Sequence, residues 1–150
     1  MMDRIVEKVL KDRLEAGNHG NNTVITATCL TTLVACVKEA DSSLIILYEG
    51  KDSMETVPYW NQNIKTPYAT FLLSPYHPII DPTEFQYYKP HKLVGYEDDF
   101  VDSMPKLSQC DPVCRWLGFK QCDIIEVDGE LYQVFDEQDR FFTALMTCSQ

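Results

Sequence analysis

The sequence predicts one domain that mixes helices with strands, and three observations carry that reading. The chain has 150 residues, 45% hydrophobic and 11% aromatic, enough to bury a core and too apolar for wholesale disorder. Near the N-terminus, Ile5, Val6, Val9, Leu10 and Leu14 recur at helical spacing. Near the C-terminus, two strand-like runs flank Asp128-Gly129, a strong short-range hairpin signal.

The elements follow in order. Residues 3–16 read as an amphipathic helix that Asp3 can cap, and Gly17-Asn18-His19-Gly20-Asn21 breaks it. Leu30, Leu33, Val34 and Val37 suggest a second helix ending near Ala40, although the surrounding Thr residues also suit a strand. Leu44-Ile45-Ile46-Leu47-Tyr48 is a short apolar run closed by Glu49-Gly50, a buried strand. Residues 51–67 are polar and Pro-punctuated and read as loop, followed by a short apolar run from Ala69 to Leu73. Pro75, Pro78, Pro82 and Pro90 exclude long regular elements between residues 75 and 90, leaving Phe85-Gln86-Tyr87-Tyr88 as a possible strand. Asp111-Pro112 is an acidic N-cap before a first-turn Pro, and Gly118 stops the short helix it starts. Val113, Trp116 and Leu117 face inward on that helix. Residues 123–127 and 130–135 form the hairpin, and residues 141–146 offer a third strand after a polar turn at 136–140.

Charge narrows the function. The formal net charge is −10, from 13 basic and 23 acidic side chains. It is uneven: −2 over residues 1–75 and −8 over residues 76–150, with no Lys or Arg between Gln121 and Asp139. Phosphate binding relies on Lys and Arg, so a stand-alone nucleic-acid binder with a broad basic face is excluded. No apolar stretch approaches the length of a membrane span, and the N-terminus lacks the apolar core of a signal peptide. The expectation is an unsecreted chain with no membrane partner, its six cysteines reduced. On that view the Asn21-Asn22-Thr23 sequon has no role.

No constellation points clearly to catalysis. Cys110, Cys114 and Cys122 form the densest soft-ligand cluster, but they lack C-x2-C spacing, and Cys148 is the only distant fourth ligand. Core packing is the plainer reading of Cys114. His19, His77 and His91 lie in no catalytic signature, and the six glycines make no phosphate loop. Glu97, Asp98, Asp99 and Asp102 read as a solvated face before a cation site. Arg115 and Lys120, around Trp116, read either as local charge compensation or as a docking patch.

The segment Met104-Pro105-Lys106-Leu107-Ser108-Gln109-Cys110-Asp111-Pro112-Val113-Cys114-Arg115-Trp116-Leu117-Gly118-Phe119-Lys120 resembles the fifth common subunit of eukaryotic RNA polymerases and the counterpart of that subunit in archaeal RNA polymerase. That family carries a Leu-Pro-basic-aliphatic step, then Asp-Pro-Val-x-Arg-aromatic-x-Gly-x-Lys, then a Val- and Ile-rich strand, as Asp123 to Val127 here. Upstream it has a strand running into His-x-Leu-Val, matched in order by Phe85 to Pro90 and His91-Lys92-Leu93-Val94. The resemblance covers residues 85–135. Met104 replaces the usual Leu, Cys122 sits where the family usually has Gly, and only residues 95–103 stand where the family has a helix-bearing insertion. Residues 136–150 read as an extension or as a register change. This trimming resembles divergent copies encoded by large DNA viruses.

The resemblance implies an α+β protein. A small mixed β-sheet with short helices would form a C-terminal assembly module, residues 75–150, after a reduced jaw-like α/β segment, residues 1–74. It implies a non-catalytic subunit of a multisubunit DNA-directed RNA polymerase, without cofactor or active site. That subunit docks on the largest subunit and helps shape the jaw around downstream DNA, with little direct DNA contact. Its location would be intracellular: the nucleus, or a viral factory or virion if virus-encoded. The implied partner interface comprises His91, Leu93, Val94, Pro105, Lys106, Asp111, Pro112, Val113, Arg115, Trp116, Gly118 and Lys120. Within it, Asp111, Pro112 and Gly118 set the helix geometry, while Arg115, Trp116 and Lys120 face the partner. Two rival readings stand beside this one: a stand-alone cysteine-metal or redox protein, and a decoy that binds a host polymerase.

Overall fold

The computed structural model describes residues 2–135 and is an α+β fold. Helix α1 spans Met2–Glu15, β1 Asn22–Ala27, α2 Leu30–Lys38, β2 Ser43–Tyr48, α3 Ser53–Asn63 and β3 Thr70–Leu73. After a 3-10 turn at Pro82–Glu84 come β4 His91–Tyr96, β5 Lys106–Leu107, α4 Pro112–Leu117, β6 Asp123–Val127 and β7 Glu130–Val134. Two sheets result. One is parallel, in the order β1-β2-β3, and the other is mixed, in the order β4-β6-β7-β5.

The period-2 alternation of β2 divides the interior. Leu44, Ile46 and Tyr48 face α2 and α3, where Leu33, Val34, Val37, Val57, Trp60 and Leu72 complete one core. Ile45, with Phe71 and Leu73 of β3, faces the opposite way. That second core also takes Val9 from α1 and Ala16 just after it, Trp116 and Leu117 from α4, and Ile125 and Val134 from the mixed sheet. The boundary near residue 74 therefore separates the sheets, while their packing crosses it.

Several expectations are met. The second helix ends at Lys38, and the Asp128-Gly129 hairpin pairs Val127 with Glu130. Asp128 and Gly129 both have positive φ, 54° and 82°, as a tight primed turn demands.

Others are corrected. Residues 51–67 hold α3 instead of a loop; Val57, Trp60 and Ile64 share its inward face, and their burial outweighs the interior Pro58. Phe85 to Tyr88 is a turn closed by Tyr88 N–H on the Phe85 carbonyl, with Phe85 and Tyr87 exposed, and the strand begins only at His91. Asn22–Ala27, unassigned from the sequence, is a strand. Leu14 is exposed, whereas its neighbour Arg13 is fully buried. Asp3 lies inside the first turn of α1 instead of capping it. The strand expected at 141–146, the turn at 136–140 and Cys148 lie outside the described residues.

Candidate functional site

The motif helix α4 folds as its local sequence directs. The Asp111 carboxylate accepts the Val113 N–H at 2.9 Å, Pro112 occupies the first turn, and Gly118 closes the helix in the left-handed region at φ 73°. A Cβ on Gly118 would also lie 2.6 Å from the Arg13 Cζ. The turn and the close approach both require glycine.

Two buried arginines then tie α4 to the N-terminal half. The Arg13 Nε and Nη2 donate to the carbonyls of Trp116 and Arg115 at 2.9 and 3.0 Å, and Nη1 donates to Asn22 Oδ1 at 2.6 Å. Asn18 Nδ2 donates to the carbonyls of Leu117 and Gly118. These donors satisfy the orphan carbonyls at the end of α4. Burial lowers the Arg13 pKa to about 9, which leaves the side chain charged at neutral pH. From α4, Arg115 reaches back to the end of α3. Its guanidinium donates to the Asn61 carbonyl at 2.9 Å, to the Thr70 carbonyl at 2.8 Å and to those of Trp60 and Ile64. The Trp116 indole N–H donates to Asp12 at 2.8 Å, and Lys8 links Asp12 to Asp81. Gln109 pairs its amide with both backbone groups of Thr66, at 3.0 Å each.

These contacts correct the expected orientation. Arg115 and Trp116 are each only 3% exposed and spend their polar groups inside the chain, so neither faces a partner. Gly118 is also buried. The inward reading of Trp116 and Leu117 holds, while Val113 is half-buried against the same core.

The other expected interface residues divide by exposure. Val94, Pro105 and Pro112 are exposed. His91 is half-buried, stacked on Tyr88 and bonded through Nδ1 to the Lys89 carbonyl. Leu93 packs on the core from the same strand. Lys106 donates to the Val101 and Met104 carbonyls and lies over the Phe100 ring. Lys120 lies over Tyr96 and pairs with Asp123 at 2.9 Å. Asp123 is nearly buried, and desolvation raises its pKa despite that pairing. Residues 97–103 hold no helix; the carbonyls of Glu97 and Asp99 accept from the buried Gln133 amide.

The cysteines gather no metal site: among the described residues no group of three His, Cys, Asp or Glu could hold an ion. Cys110 lies beside the Arg115 guanidinium, Cys114 is in the core, and the Cys122 thiol donates to the Asp98 carbonyl. Cys122 takes φ 78°, the left-handed conformation that favours glycine. Among the described residues no helix is long and apolar enough to cross a membrane. Sequence reasoning missed Arg13 altogether. Its only signal was a basic residue in the last turn of a helix, which ordinarily reads as a solvated charge. Comparison with protein-family models, curated proteins and solved structures finds no match to this chain.

Proposed function

We propose that the protein is a non-catalytic structural subunit of a multisubunit DNA-directed RNA polymerase, docking on the largest subunit near downstream DNA. The observation that carries this is the ordered pair of motifs, His91-Lys92-Leu93-Val94 and then Asp111 to Lys120, with the second built as a capped helix between Asp111 and Gly118. The positive φ of Cys122 supports it, because that position is usually glycine in the family the motifs resemble. The docking surface in this reading is what the chain leaves outward: Val94, Pro105 and Pro112, with the accessible parts of His91, Lys106 and Lys120. The buried Arg115 and Trp116 hold the platform behind it.

Affinity purification of the tagged chain from its native source, with identification of the large co-purifying chains, tests the reading. The largest polymerase subunit is expected in the eluate, and a Val94→Arg variant of unchanged fold should recover less of it. An eluate without polymerase subunits overturns the proposal.

A further inference from the structure

Each sheet has two edges, and three of the four are guarded. Asn61 closes β3 like a paired strand: its Nδ2 donates to the Leu72 carbonyl at 2.9 Å and its Oδ1 accepts the Leu72 N–H at 3.0 Å, while Arg115 donates to the Thr70 carbonyl. β4 carries an irregularity between Leu93 and Gly95, and its Leu93 N–H goes to the Ala16 carbonyl. β5 is only two residues long. Short, bulged or covered edges are how proteins avoid unwanted strand pairing.

β1 has no such guard among the described residues. The Glu49 N–H donates to the Ala27 carbonyl, so Ala27, Ile25 and Thr23 point their backbone groups at β2. By alternation Asn22, Val24 and Thr26 point theirs outward. The strand has six residues, Thr23, Val24 and Thr26 are exposed, and it contains no charge, Pro or Gly. It sits within residues 16–37, which hold no Asp, Glu, Lys or Arg in a chain of net charge −10.

We infer that the β1 edge pairs antiparallel with the β1 edge of a second copy of this chain. The charge pattern selects that occupant. Two copies carrying −10 each repel over most of their surfaces, and this edge lets their backbones meet without opposing like charges. A partner adapted to an acidic chain would bring basic side chains, for which this edge has no counter-charge. Centred on Val24, a twofold register sets Val24 against Val24, Asn22 against Thr26 and Thr23 against Ile25. Every pair is uncharged, and β-branched residues dominate. With one free edge per chain among the described residues, the assembly closes at two copies. A six-residue contact is small, so the dimer should be weak, dissociating in the micromolar range. This inference is independent of the polymerase reading.

Sedimentation velocity of the full chain across a concentration series, from low to hundreds of micromolar, tests it. The wild-type chain should pass reversibly from monomer to dimer. Val24→Pro deletes an N–H that β2 does not use, and Thr26→Lys places a charge opposite its neighbour. Both variants should stay monomeric with unchanged circular dichroism. A wild-type chain that remains monomeric throughout overturns the proposal, as does a ladder of larger species or a dimer that survives Thr26→Lys.

Discussion

β1 and β3 are the two edges of one parallel sheet, and the molecule treats them in opposite ways. β3 is sealed by polar side chains delivered from α3 and α4, so its backbone groups are satisfied inside the chain. β1 meets solvent with threonines and a valine, and no partner claims its outward backbone groups among the described residues. The segment on which the proposed polymerase role rests lies on the sealed side. There Arg115 works as an internal brace across the end of α3. A motif recognised by its sequence can thus serve assembly of its own chain first, and offer partners only the surface left over.

The sharpest test of the contrast removes that brace. Arg115→Met should cost about 3–5 kcal/mol in denaturant unfolding, because it strands several buried carbonyls in a dry interior. Gly118→Ala should cost about 3 kcal/mol by the same measurement, from left-handed backbone strain plus the approach to Arg13. Asn61→Ala should cost about 1–2 kcal/mol and expose the Leu72 amide to faster hydrogen exchange, turning β3 into an edge like β1. On the other side, Thr26→Lys should change monomer stability by less than about 0.5 kcal/mol, since the Thr26 side chain is exposed and makes no hydrogen bond among the described residues. A large loss there would break the contrast.

β2 lies between the two edges and supplies a control confined to alkaline pH. Burial, and then the hydrogen bond to Asp52, push the Tyr48 pKa up from 10.0 to about 12. With a raised folded pKa, its contribution is full below pH 10 and is lost as pH rises through about 12. Denaturant midpoints should therefore fall over that window, and Tyr48→Phe should flatten the fall.

The legible parts of the fold were those written in neighbouring residues. Asp111, Pro112 and Gly118 bracket α4 through contacts a few positions apart, and Asp128-Gly129 sets its turn alone. Leu44 to Tyr48 reads as a strand from its own composition. The misread parts depended on distant partners. α3 looks like loop because Pro58 and its polar residues hide Val57, Trp60 and Ile64, whose inward stripe gains meaning only against β3 and α2. β1 carries too little apolar character to announce itself and is ordered by its register with β2.

The sequence by itself determined the α4 boundaries, the hairpin, the buried middle strand, the acidic balance and the motif order, because capping, turn conformation and hydrophobic period are local properties. Only the tertiary structure decided that Arg13 and Arg115 are buried braces, that Trp116 faces inward, and that β1 is the bare edge. Each of those outcomes is set by which carbonyls and strands arrive from tens of residues away. Arg13 meets α4 across about a hundred residues of chain, and no local pattern encodes such a meeting.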